Sequence, residues 1–320
     1  MKETWYTREE AETSPEFGSI PEKRSIEELM EKGFVLVDKP FGPTSNQVSH
    51  WVKEELDREK TGHFGTLDPN ATGILPIGMN TGTRIQDALT KASKEYIFEA
   101  IIEDEKPEEE IIETLQSFKG VNKQIPPEHS AVKREERERK VYEIELIETQ
   151  EQKILGRVKC ESGFYVRTLI TQLAEKLDTE ASIEELRRTQ QANLKTEDTN
   201  TLQDIVDAYR FYKDQQDKQK LREVIHPIEK AVNHLPKIVI KDSAVNAVAN
   251  GSNLGTTGIT KLQDGIEEKD TVAIMTMKGE LVALATAQIT SEKMFDKEDT
   301  AAELEKVFMN PETYPRRWKQ

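Results

Sequence analysis

Apolar residues run without a break through Phe34-Val35-Leu36-Val37 and stop at Asp38-Lys39-Pro40, which predicts a short buried strand closed by proline. The spacing then turns helical in GPTSNQVSHWVKEEL. Val48, Trp51, Val52 and Leu56 recur at i, i+3, i+4 and i+8, and Thr44 and Gln47 stand at capping-box distance. Residues 94–102 predict a strand. A helix is expected from Pro107, with Glu108, Glu109 and Glu110 on its positive end and Ile111, Ile112, Leu115 and Phe118 facing inward. Strands at 141–147 and 154–160 lead to Gly163 and a helix carrying Leu169, Ile170, Leu173, Ala174 and Leu177. Ser182 and Glu185 repeat the capping-box spacing before Leu186 and predict another helix start. Residues 204–232 read as helical, with Tyr209, Phe211 and Tyr212 as core. After Leu235-Pro236 the texture becomes β-rich, with runs at 237–240, 271–277 and 281–287, the last two joined at Lys278-Gly279 as a hairpin. The expected division is an N-terminal extension (1–32), a large α+β domain (33–234) and a small β domain (235–320).

Length agrees with two domains, since 320 residues exceed one ordinary domain. The net charge of −15 at first disfavours a nucleic-acid partner, but it is concentrated. Residues 1–32 and 99–113 together hold −11 of it, so a basic patch elsewhere can still bind phosphates. The single cysteine, Cys160, excludes a disulfide framework and a cysteine zinc site. No apolar run reaches the ~18–20 residues of a membrane helix, and MKETWYTREE lacks a signal-peptide core. These features lead us to expect a soluble, cytoplasmic protein.

The densest unusual segment is residues 62–73, where Gly62, Gly65 and Gly73 with Pro69 surround one carboxylate, Asp68. Two readings stand. Asp68 either caps a neighbouring backbone N–H in a turn or is presented to a ligand by a tight loop. The five histidines lack metal spacing, and neither a nucleophile elbow nor a phosphate loop is present. A metal or nucleotide enzyme is therefore not expected.

The segment GHFGTLDPNATGILPIG resembles the signature loop of the pseudouridine synthases that include the bacterial transfer-RNA uridine-55 enzyme and the dyskerin proteins. KPFGPTSNQVSHWVK upstream continues the resemblance, as do KEYIF, PPEHSAVKR, GFYVRTLI and EELRRT downstream. DAYRFYK, HLPKIVIKDSAV and VFMNPETYPRRWK carry it to the end of the chain. It covers roughly residues 30 to 320 in the family's order, and the later motifs look most like the archaeal dyskerin-type subunit of box H/ACA guide-RNA particles.

The resemblance implies an α+β, mixed-sheet catalytic domain followed by a β-barrel PUA domain, with no cofactor. It implies guide RNA, substrate rRNA or tRNA, and small partner proteins of the particle. Asp68 becomes the catalytic aspartate, Tyr96 the residue that stacks on the target base, and Arg167 the partner that orients Asp68. Tyr165 and Leu186 would wall the pocket, and His63 would hold the displaced strand. Lys133, Arg134 and Arg139 fall in the segment expected over the substrate strand. Gly251 and Leu254 belong to the loop expected to let backbone groups approach RNA. Two departures stand out: Gln190, Gln191 and Ala192 replace the expected basic residue and glycine, and Thr257 replaces a common proline. A stand-alone enzyme for transfer-RNA uridine 55 and a non-catalytic RNA scaffold are the rival readings. An intact Asp68, Tyr96 and Arg167 disfavours the scaffold.

Overall fold

The computed structural model describes residues 4–126 and 133–316. Two compact units emerge, one of residues 30–226 and one that joins residues 1–29 to 227–320. In the first, Phe34–Lys39 pairs antiparallel with Ala71–Met79, which in turn runs parallel to Ala181–Gln191. The sheet continues antiparallel through Lys94–Ile102, Lys153–Cys160, Arg137–Gln150 and Gly120–Gln124. One parallel pairing in an otherwise antiparallel ladder makes this a mixed sheet, with helices Glu108–Gln116 and Val166–Lys176 supplying apolar residues to the same core cluster.

Local signals explain much of this. Thr44 caps the helix Ser45–Glu55, and both bonds of its capping box with Gln47 are made. Lys94–Ile102 and Leu281–Ala287 are strands over the expected residues. Inward faces are narrower than the spacing suggested. Trp51 keeps 41% and Ile112 39% of their surface exposed, because each lies at the rim of its helix stripe.

The expected helix start at Ser182 is wrong. Residues Ala181–Gln191 form a strand lodged between Ala71–Met79 and Lys94–Ile102. A capping box saves two hydrogen bonds at one end, whereas insertion between two strands pairs the backbone on both sides, and the ladder wins.

The second unit holds a seven-stranded sheet in the order Trp5–Thr7, Ile259–Gln263, Lys237–Ile240, Thr271–Thr276, Leu281–Ala287, Thr300–Val307 and Leu254–Gly255. The N-terminal segment expected as an extension is part of it, since Trp5–Thr7 pairs with Gln263, Leu262 and Lys261. The unit also begins earlier than the 233–236 expected. Glu229 accepts both Arg24 guanidinium bonds, each 2.9 Å, and the backbone N–H of Leu281 at 3.0 Å. Those contacts outweigh the helical pattern that linked residues 228–232 to the segment before them. Helices Leu202–Gln215 and Lys218–Val224 remain in the first unit.

Candidate active site

Asp68 lies between two paired strands. Thr61–His63 runs antiparallel to the end of Ala71–Met79, and residues 64–70 close the connection. His63 therefore sits on a strand rather than in a loop. The connection is pinned from several sides. Ser45 Oγ accepts from the Leu67 N–H and donates to the Leu67 carbonyl, both at 2.8 Å. The Asp68 carbonyl accepts from Ala71 N–H at 3.0 Å, and the Pro69 carbonyl from Gly42 N–H at 2.9 Å. Fully buried Lys39 donates to the carbonyls of Pro40, Pro69 and Ala71. Burial pulls its ammonium below the ordinary lysine range, while nearby Asp68 opposes that shift.

Arg188 holds the loop from beneath. Ala71–Met79 has Thr61–His63 beside its last residues and Ala181–Gln191 beside its first, which leaves a gap at 74–76. The Arg188 guanidinium fills that gap with two bonds to the Ile74 carbonyl, 2.9 and 2.6 Å, and others to Gly65 and Thr66. The Pro76 carbonyl, which points the same way, accepts from Phe64. Pro76 thus lacks an N–H only where no strand could have accepted it. Gly73 is required where the two strands touch. Its φ is +101°, and a Cβ would lie 2.2 Å from the Arg188 carbonyl.

Arg167 comes to Asp68 from 99 residues away and forms an ion pair with it through Nη2 and Oδ2. It is the second residue of the helix Val166–Lys176, whose N-cap is Tyr165. The Tyr165 N–H and carbonyl are both bound by the Gln124 side chain, at 2.9 and 3.1 Å. About half of each ion-pair side chain stays exposed, so the pair faces solvent and can meet a ligand.

Tyr96 stands directly across the sheet from Arg188, and Phe98 from Leu186, so these four share one face. The Tyr96 hydroxyl is enclosed against the Arg188 guanidinium and within electrostatic reach of Asp68. Burial pushes that phenol up, and Arg188 works against the shift. The residue as a whole is half-buried. Leu186 and Tyr96 pack on the cluster containing Phe98, Cys160, Phe164 and Val166. His63 Nε2 lies 3.0 Å from Asn46 Oδ1. Burial, and then Arg188, lower its pKa and keep the ring neutral at pH 7.

The expected RNA-contacting residues are more dispersed. Lys133 is exposed and paired with Glu135, and Arg134 is exposed beside it. Residues 127–132 of PPEHSAVKR, and 317–320 at the chain end, lie outside the described residues. Arg139 is half-buried, with its guanidinium about 3 Å from where a Gly163 side chain would begin. Gly251 is exposed at φ +95° with open space around it. Leu254 is 1% exposed and its side chain belongs to the second unit's core, so only its backbone is left for the expected approach to RNA. Gln191, one of the departures, is buried and donates to the carbonyls of Phe64 and Leu89.

Four residues of the site escaped sequence reading, namely Lys39, Ser45, Gln124 and Arg188. Lys39 alone carried a faint signal, as a charge closing the apolar run 34–37, whereas Ser45, Gln124 and Arg188 stand in polar stretches that local pattern assigns to solvent. Among the described residues no group of three His, Cys, Asp or Glu side chains is placed to hold a metal ion, and no helix is long and apolar enough to cross a membrane.

Comparison with known proteins bears on all of this. The model of the TruB family pseudouridylate synthase N-terminal domain matches residues 53–166, and that of the tRNA pseudouridylate synthase B C-terminal domain matches 167–233. A DKCLD domain matches residues 1–49 and a PUA domain 236–308. A protein of Pyrococcus furiosus named "Probable tRNA pseudouridine synthase B" is 46% identical over 98% of this chain and 92% of its own length. One of the same name from Methanocaldococcus jannaschii is 42% identical over 100% of this chain and 95% of its own. A chain from a crystallised Cbf5–Nop10–Gar1 complex superposes with a TM-score of 0.94 at 46% identity, over 98% of this chain and 97% of that one. A chain from an H/ACA RNP bound to a substrate RNA containing 2′-deoxyuridine gives 0.92 at 43%, over 99% and 98%. With these similarities spanning a catalytic domain built around the Asp68 loop and a PUA domain that follows it in the sequence, the chain belongs to the TruB family of pseudouridylate synthases, which are isomerases.

Proposed function

We propose that this chain is the catalytic subunit of an H/ACA-type guide-RNA particle and that Asp68 performs its chemistry. The observation that carries the chemical part is the solvent-facing ion pair of Asp68 with Arg167 beside Tyr96. Isomerising uridine to pseudouridine breaks the C1′–N1 bond, turns the uracil and joins C1′ to C5. The C5 proton is lost and N1 gains one. No electrons are exchanged, so neither redox cofactor nor energy donor is needed. A single carboxylate suffices, either as nucleophile at C1′ or as base at C2′. Arg167 holds that carboxylate in one direction by charge and hydrogen bonding. The Tyr96 ring offers the flat surface a flipped base requires, with Leu186 and Tyr165 as apolar walls. His63, kept neutral, serves as a hydrogen-bonding group beside the displaced strand.

The guided reading is supported by the likeness, over nearly the whole chain, to chains from H/ACA complexes, one of which holds substrate RNA. Nop10 and Gar1, named with the first of those chains, are the partner proteins it implies here. Lys133, Arg134 and Arg139 would meet the substrate backbone, and Gly251 would let the guide approach the PUA backbone. A cytoplasmic setting belongs to the same reading. The names of the curated relatives favour a second reading, a stand-alone synthase for tRNA. Tritium release from [5-³H]uridine RNA separates the two. The guided reading expects release from a target RNA only when guide and partner proteins are added. Equal release from tRNA by the protein alone would put the stand-alone reading first.

A further inference from the structure

The two charged groups of the site lie on separate segments, and close to each of them a buried polar side chain grips both backbone groups of one residue. Ser45, 2% exposed, binds both the N–H and the carbonyl of Leu67, the residue before Asp68. Gln124, 3% exposed, does the same to Tyr165, the cap of the helix that carries Arg167. Each clamp reproduces one rung of strand pairing with a side chain, so the gripped residue is restrained on both sides of its Cα. The clamps are themselves anchored. Ser45 opens the capped helix Ser45–Glu55. The strand Gly120–Gln124 is tied to the Arg167 helix again through Gln172 Nε2 and the Lys123 carbonyl at 2.9 Å.

Asp68 and Arg167 are themselves half-exposed, so packing of their own side chains does little to fix them. Their relative position depends on the backbone beneath. We propose that Ser45 and Gln124 are positioning residues for the isomerisation, acting through Leu67 on Asp68 and through Tyr165 on Arg167. This rests on the roles given above to Asp68 and Arg167. It assigns neither clamp a contact with RNA. Because a misplacement of ~1 Å can cost ~100-fold in rate, loss of a clamp should appear in the chemical step and not in RNA affinity.

The test is single-turnover tritium release by the full chain, in the assembled particle, with RNA affinity measured in parallel. Ser45→Thr and Ser45→Val are isosteric and crowd the site equally, so their ratio reads the hydroxyl alone. Thr should be faster by ~10-fold or more. Gln124→Met, which removes both bonds at similar length, should slow release by ~10-fold or more, with the RNA Kd changed less than about twofold. Gln124→Glu keeps the acceptor but not the donor and should fall between. In an Arg167→Lys background, Gln124→Met should add less than about twofold, because the group it positions is already altered. Equal rates for Ser45→Thr and Ser45→Val, or full multiplication of the Gln124→Met and Arg167→Lys effects, would overturn the proposal. If Ser45→Val does not fold, the Gln124 arm decides alone. Asp68→Asn in the same assay checks the underlying reading. Turnover retained there sinks the assignment of Asp68, whereas turnover lost there but kept in both clamp variants sinks only the clamps.

Discussion

The two units treat buried charge in opposite ways. In the C-terminal unit Arg24 is buried against Glu229 in a two-bonded pair, side-chain exposures 10% and 9%. Burial opposes the Arg24 charge, but Glu229 outweighs it and raises the pKa. In the catalytic unit three buried cations, Lys39, Lys94 and Arg188, donate to backbone carbonyls and hydroxyl groups instead of a carboxylate. Burial lowers all three, with Arg188 adding to the effect on both lysines. A paired ion is satisfied where it stands. Cations held by carbonyls cost more to bury, yet they fix backbone that has no strand partner, and they leave Asp68 as the carboxylate with which Lys39 and Tyr96 interact.

The largest effect is expected at that carboxylate. Asp68→Asn keeps the shape and removes the anion, so turnover should fall ~10³-fold or more while RNA binding persists. Tritium release and a binding titration read the two quantities, and a variant with a tenth of normal turnover would refute the mechanism. Next comes the paired ion. Arg24→Met leaves Glu229 buried without its partner and should cost about 3–5 kcal/mol of stability in denaturant unfolding. Turnover per folded molecule should be unchanged, and a second change, Glu229→Leu, should recover part of the loss. The same substitution at the carbonyl-bound ion should act differently. Arg188→Met strands no carboxylate, but it frees the loop carbonyls and the Tyr96 hydroxyl, so turnover should drop by ~100-fold in a chain that still folds. Loss of stability without loss of turnover per folded molecule would erase the distinction between the two arginines.

Lys94 gives the smallest effect. Its ammonium is lowered to about 7 by burial, with Arg188 adding and the facing Cys160 opposing. Cys160 itself is pushed up to about 12 by burial and stays a thiol. Below pH 7 both folded and unfolded lysine are charged, and the burial penalty is present in full. Between about pH 7 and the ordinary lysine range near 10 the unfolded chain binds the extra proton, so stability should rise with pH, by at most about 1.4 kcal/mol per unit. Urea unfolding at pH 7, 8 and 9 should show that slope in the wild type, and Lys94→Met should flatten it.

Elements with a complete local signal were legible in the sequence. Thr44 with Gln47, the run at 94–102 and the hairpin around Gly279 each contain their own cause, because the residues that form the element are also those that specify it. Asp68, Tyr96 and Arg167 were legible only through the motifs they share with a family. Composition left Asp68 open between a turn cap and a carboxylate presented to a ligand, and nothing local joins it to an arginine 99 positions away.

What the chain determines by itself is therefore its short-range geometry, its two-domain scale and the residues available for chemistry. The tertiary structure alone decided that residues 181–191 are a strand, that the acidic N-terminus completes the C-terminal sheet, and that Leu254 is core. It also decided that Ser45, Gln124, Lys39 and Arg188 point inward to hold the site. The physical reason is common to all of these. Each depends on hydrogen-bond partners supplied by distant chain, and a polar side chain is worth burying only when those partners are already in place.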